Sequence, residues 1–217
     1  MRETMNSGAP LGERARLIAS LCQGLDVLDV GCGEHHVARI GESNWLHGIL
    51  EHTARTLVGV EISGELVGEM RKAGYEVVQA DAQMMNLGRR FDVVVAGELI
   101  EHVDDQLALL TNLKRHLRKD GRLIISTPNS VGWMFATMTL VRGQIKPNPE
   151  HTLWHDETTL REIARRAGLE PLAVYYLPYT RFPNNPASRL FYRLDRLAMR
   201  IRPRLAPNLL MVCGIRH

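Results

Sequence analysis

Short runs of aliphatic residues recur along the chain, and each stops at a small or acidic residue. Leu25–Val30 ends at Gly31-Cys32-Gly33, Thr56–Val60 at Glu61-Ile62-Ser63, and Tyr75–Gln79 at Ala80-Asp81-Ala82. Phe91–Ala96 ends at Gly97-Glu98-Leu99-Ile100-Glu101-His102-Val103, and Arg122–Ser126 at Thr127-Pro128-Asn129. Apolar residues at helical spacing separate most of these runs. They predict helices over Leu11–Leu21, Glu65–Lys72, Asp104–Arg118, Val131–Val141 and Asp156–Ala167, the last closed by Gly168. In the third of these, Leu107, Leu110, Leu113 and Leu117 are expected on one buried face. Leu172–Leu177 and Leu209–Cys213 read as a sixth and a seventh strand. Near-continuous Val/Ile/Leu strands alternating with helices predict an α/β chain, its parallel sheet covered on both faces.

A chain of 217 residues suits one sizeable core better than two, so residues 1–217 are read as a single domain. Residues 178–208, rich in proline and arginine, form an insertion between the last two strands that is expected to act as a lid or specificity segment. Within it, Arg189, Arg193, Arg196 and Arg200 share one helical face and Leu190, Leu194 and Leu197 another. The leucines are expected to face the core and the arginines the solvent, with membrane-surface or RNA contact as the second reading. Three scattered cysteines, Cys22, Cys32 and Cys213, form no disulfide framework or zinc site, which points to a reducing cytosol. Neither a signal-peptide core nor a run near the roughly 18 apolar residues of a membrane span is visible, so a cytoplasmic location is expected. A net charge of +3 gives no argument for nucleic acid, and no stable nucleic-acid partner is expected.

In parallel sheets ligands bind at the carboxyl ends of the strands, so the residues that stop each run carry the information. Gly31 and Gly33 let a ligand approach the backbone after the first strand. Glu61 could accept from the two hydroxyls of a ribose, and Asp81 from an exocyclic amine such as adenine N6. A dinucleotide loop would place a third glycine near the helix N-terminus, but Glu34-His35-His36-Val37 follows here. A carboxylate there repels phosphate and suits a cationic or zwitterionic ligand better.

The stretches VLDVGCG, LVGVEIS, QADAQ, FDVVVAGELIEHV and GRLIISTPN, in this order, resemble class I S-adenosylmethionine-dependent methyltransferases. The resemblance implies a Rossmann-like sheet of seven strands, mostly parallel, with an antiparallel last strand. It implies that Asp29, Gly31, Cys32 and Gly33 line the methionine and ribose part of S-adenosyl-L-methionine, Glu61 and Ile62 the ribose, and Asp81 and Ala82 the adenine, with Gly97 in the same wall. If Glu98 opens a helical turn, Glu101 and His102 lie on its side of that turn, as a partial shell for a divalent cation. The alternative has Glu98 touching the cofactor and the other two behind it. ExxEH, then STPN, then a histidine before a helix resembles two O-methyltransferase groups, the small-RNA 2′-O-methyltransferases and the ubiquinone-biosynthesis enzymes. That likeness implies Glu98, Glu101, His102 and His151 as ligands of Mg²⁺ or Mn²⁺. A chelated hydroxyl is acidified and aligned with the sulfonium methyl. His36, His102 and His155 are the candidate catalytic histidines, His36 or His155 taking the proton where unligated. The expected acceptor is a small molecule with adjacent hydroxyls, a saccharide or polyol first and a quinone or polyphenol precursor second. Aromatic residues around the insertion that do not touch it are read as core or homodimer contacts.

Overall fold

Seven strands pair into one sheet in the order β3-β2-β1-β4-β5-β7-β6. They are β1 (Asp26–Val30), β2 (Thr56–Glu61), β3 (Val77–Gln79), β4 (Phe91–Gly97), β5 (Leu117–Pro128), β6 (Leu169–Leu177) and β7 (Asn208–Ile215). The computed structural model describes residues 12–33, 40–42, 44–143, 148–178 and 186–216. The first five strands are mutually parallel, and β7 runs antiparallel to both β5 and β6. That is the Rossmann-like arrangement expected from the sequence.

Alternation along the strands supplies both faces of the core. Val27, Val93 and Val95 pack with Ile18 and Cys22 of α1 (Glu13–Cys22) and Leu50 of α2 (Leu46–Glu51). Leu28, Val94 and Leu123 pack on the other face with Leu109, Leu110 and Leu113 of α4 (Gln106–Arg115) and Leu160 of α6 (Glu157–Arg166). Helix α3 (Gly64–Lys72) closes over the β2–β3 edge, where Val67 and Met70 meet Cys32, Trp45 and Val77. Side chains fix where these helices start: Ser63 accepts from Leu66 N–H, Asp105 from Ala108 N–H, and Asp156 forms a reciprocal cap with Thr159.

Several boundaries differ from the sequence reading. Helix α4 stops at Arg115, and Leu117 instead opens β5 opposite Phe91; Leu107, expected in the buried stripe, is exposed. Helix α5 (Trp133–Arg142) and helix α7 (Pro186–Ile201) follow β5 and β6 respectively. In α7 one half of the expectation fails: Leu190, Leu194 and Leu197 are exposed, while Arg189, Arg193, Arg196 and Arg200 face solvent as expected. The reason is Asp195, fully buried, whose Oδ1 accepts from the Trp133 indole N–H at 2.7 Å and so turns the opposite side of the helix inward. Residues 179–185 of the expected lid lie outside the described residues.

Candidate functional site

Strand order reverses between β1 and β4, whose neighbours lie in opposite directions along the sheet. At such a switch point the loops part and leave a crevice at the carboxyl ends. A cavity of about 740 Å³ opens there, and its wall contains Asp29, Gly31, Cys32, Gly33, Glu61, Ile62, Asp81, Ala82 and Gly97. The structure thus gathers in one wall every residue expected to touch the cofactor. Gly31 has φ +70°, a left-handed turn that an L side chain adopts at a cost. A Cβ on Gly33 would stand 2.7 Å from Glu61 Oε2 and 2.8 Å from Leu66 Cδ1, so the loop passes against the β2 acid only because no side chain intervenes.

Polar contacts hold the wall in shape. Glu61, buried at the end of β2, accepts from Gly33 N–H at 3.1 Å and from Ser63 N–H at 2.9 Å. Asp29 is buried beside His47, with Oδ2 2.9 Å from Nδ1. The Trp45 indole N–H donates to the Cys32 carbonyl at 2.9 Å, and its ring meets Tyr75 edge to face. Asp81 accepts from the Gln83 backbone N–H at 2.8 Å, which fixes the turn after β3. Burial pushes the Cys32 thiol well up, and the Asp29 and Glu61 charges add to the shift. Cys32 is therefore a packing residue in this wall rather than a nucleophile.

The ExxEH stretch does not form one helical turn. Glu98 has φ +57°, alone among the described non-glycine residues in that region, and the 3-10 turn begins only at Ile100. Glu98 consequently points to Arg14, Oε2 lying 3.8 Å from Nη2, while Arg14 Nη1 donates to Ser126 Oγ at 3.1 Å. Glu101, His102 and His151 do converge: each offers a ligand atom within 4.8 Å of the others. The 148–155 loop is pinned for this by Thr152, whose N–H donates to the Glu101 carbonyl at 2.8 Å and whose hydroxyl donates to the Val103 carbonyl at 3.0 Å. Glu98 stands outside that group. His102 belongs both to the group and to the cavity wall.

Glu101 is 1% exposed, and no group among the described residues makes a full hydrogen bond to its carboxylate oxygens. Burial pushes its carboxyl up to about 8; the charge of Glu98 adds to this, and the Thr127 hydroxyl and the Arg14 charge oppose it without prevailing. A carboxylate so placed needs either a proton or a cation, and two imidazoles beside it fit the second. His155 is buried, not in the cavity wall, and neither ring nitrogen has a hydrogen-bond partner among the described residues; burial pulls its pKa down. Its backbone carbonyl accepts from Ser130 N–H at 2.8 Å, so the residue stitches the end of β5 to the loop before α6. His36 lies outside the described residues, as does Glu34. Arg14, Trp45 and Leu99 also line the cavity, and His47 braces Asp29. The sequence reading missed these because they come from α1, from the short α2 and its start, and from the irregular turn after β4, where no spacing rule marks them.

A family model described as a methyltransferase domain matches residues 1–174. The chain belongs to the class I S-adenosylmethionine-dependent methyltransferases. A Mycolicibacterium smegmatis protein named "probable S-adenosylmethionine-dependent methyltransferase" is 32% identical over 160 residues, covering 70% of this chain and 55% of that protein. The ubiquinone biosynthesis O-methyltransferase of Dinoroseobacter shibae is 33% identical over 170 residues, covering 69% of this chain and 62% of that protein. This methyltransferase chain therefore spans little more than half the length of the curated relatives it matches. Among solved structures, magnesium protoporphyrin IX methyltransferase from Synechocystis PCC 6803, with bound SAH, superposes with a TM-score of 0.64 at 17% identity. The match covers 94% of this chain and 83% of that one, and it shows the shared fold.

Proposed function

We propose that this methyltransferase moves the methyl group of S-adenosylmethionine to a hydroxyl oxygen of a small molecule carrying adjacent hydroxyls. Glu61 would hold the ribose hydroxyls, Asp81 the adenine amine, and Asp29 with the Gly31–Gly33 loop the methionine end. The acceptor oxygen attacks the methyl carbon, the carbon–sulfur bond breaks with its electrons on sulfur, and the hydroxyl proton passes to solvent water. The single observation that carries the O-methyl reading is His102, shared between the cofactor cavity and the Glu101–His102–His151 group. Those three would hold a divalent cation, which when bound supplies Lewis acidity to a hydroxyl. Two imidazoles and one carboxylate suit Mn²⁺ better than Mg²⁺, which prefers a shell of oxygens. Saccharides and polyols are the first acceptor class. Catechols are the second, favoured by relatives named for ubiquinone biosynthesis. Residues 178–208 would shape the acceptor side: the Arg196–Glu13 ion pair at 2.8 Å ties α7 to α1, one residue from Arg14 in the wall.

The test is methyl transfer from labelled cofactor to sugars, polyols and catechols, in chelator and after Mn²⁺ or Mg²⁺ is restored. Turnover should stop in chelator and return with metal. Glu101→Gln should lower it at least about a hundredfold while the affinity for S-adenosylhomocysteine changes little. Undiminished turnover in excess chelator, together with an active Glu101→Gln variant, would refute the metal assignment. Absence of cofactor binding would refute the reading as a whole.

A further inference from the structure

Helix α7 carries one acid and turns it inward, while its aliphatic residues face outward. Asp195 is fully buried on Trp133, with Tyr192 and Met199 half-buried on the same side. At the α-helical turn per residue, Leu190, Leu194, Leu197 and Ile201 fall in a stripe about 60° wide on the opposite side. Their exposures are 59%, 43%, 52% and 70%, so the stripe is covered by nothing among the described residues. Arg189, Arg193 and Arg200 form a second exposed stripe alongside it, next to Arg196, which is exposed but paired with Glu13. Four aligned aliphatic side chains are an interaction surface, since scattered exposed leucines would not line up along a helix.

We propose that α7 is an interfacial anchor that lays its leucine stripe into the headgroup region of an anionic lipid bilayer, with the arginines meeting lipid phosphates. A bilayer surface takes both stripes at once, the aliphatic one by burial and the basic one by charge. Other occupants satisfy only one. Nucleic acid takes the arginines and leaves the leucines in water. A second copy packed antiparallel about a two-fold axis covers the leucines but brings the arginine rows together on one side, and a parallel one leaves both rows without a counter-charge. The helix lies on the membrane and does not cross it: no helix among the described residues is long and apolar enough to span one. This inference concerns where the chain binds, and it stands whichever acceptor is methylated.

Flotation of the purified chain with phosphatidylcholine vesicles, with and without added phosphatidylglycerol, tests it. The chain should float with the anionic vesicles and far less with the neutral ones. Arg193→Gln with Arg200→Gln should lower partition onto anionic vesicles about thirtyfold, on the usual contribution of an arginine near a charged surface. Leu194→Ser with Leu197→Ser should lower it about a hundredfold even at low salt. Because these four residues are exposed, circular dichroism and melting should match the parent, and S-adenosylhomocysteine affinity should be unchanged. Three results would overturn the proposal. One is a chain that floats with no vesicle, and another is a leucine variant that floats as well as the parent, leaving a purely ionic contact. The third is a leucine variant that abolishes a dimer seen by sedimentation while no vesicle binding exists, making the stripe a self-interface.

Discussion

Replacing Glu61 with alanine separates a brace from a ligand contact. The carboxylate accepts two backbone N–H groups, from Gly33 at 3.1 Å and Ser63 at 2.9 Å. Both donors border the cavity, so water can replace the lost acceptor in the unliganded variant. The stability cost should therefore be modest, about 1 kcal/mol, which lowers the melting temperature by about 2–4 °C in a chain of this size. The loss on the ligand side is larger. Two ribose hydroxyls donating to a buried carboxylate are charge-assisted bonds, and removing the acceptor costs roughly 1.5–3 kcal/mol. The Kd for S-adenosylhomocysteine should rise about 10- to 150-fold. Titration calorimetry reads the affinity and circular dichroism the melting. Glu61→Gln, which keeps one acceptor oxygen, should fall between parent and alanine. Parent-like affinity in Glu61→Ala with a lowered melting temperature would show that the carboxylate only braces the glycine loop, and the ribose assignment would be wrong.

The thiols and the strand ends give two further outcomes. Cys22, Cys32 and Cys213 are all buried, and burial pushes the thiols of Cys22 and Cys213 up to about 12 and that of Cys32 well up. A colorimetric thiol reagent at pH 8 should therefore find almost no reactive thiol until denaturant is added; rapid labelling of the folded chain would contradict the packing of Cys32. Opposite the cavity, hydrogen bonds from Arg55, Arg118 and Thr56 hold the Asp26 carboxyl well below the usual range. In Asp92 burial opposes the shift, but Arg118 and the Asp26 backbone N–H prevail and lower it too. A lowered folded pKa stabilises above the unfolded value near 4 and loses that stabilisation as pH falls toward the folded one. The melting temperature should thus drop below about pH 4, and Asp26→Asn should flatten that limb. An unchanged acid limb in the variant would place the sensitivity elsewhere.

What the sequence made legible follows from what burial does to a pattern. A parallel strand covered on both faces needs no alternation, so VVVA and LIIS stood out as unbroken runs, and their stops marked the ligand crevice. Helix ends were less legible where two elements abut. Leu117 fits the helical stripe of α4, yet pairing with Phe91 draws it into β5, because a ladder partner outweighs one more helical turn. The exposed leucine face of α7 has a different origin. Leucine periodicity identifies an amphipathic helix but does not say which face meets the protein, and the deciding contact is polar: a buried Asp195 on an indole 62 positions earlier in the chain.

The same limit explains the split within GELIEHV. Counting residues places Glu98 and Glu101 on one side of a turn, but that presumes helical backbone from Glu98 onward. Instead Glu98 sits in the left-handed region, a conformation that costs about 1–2 kcal/mol for a residue with a Cβ. Its N–H is secured by the Ser126 carbonyl at 2.8 Å, and its carboxylate by Arg14. The strain turns one carboxylate toward an arginine at the mouth and leaves the other buried with two histidines. Had both faced the same point, the site would have offered two carboxylates and drawn a hard cation such as Mg²⁺; with Glu98 turned away, one carboxylate and two imidazoles remain. A locally unfavourable backbone thus divides the two acids between separate partners, and strain of this kind concentrates where side chains must be aimed rather than packed.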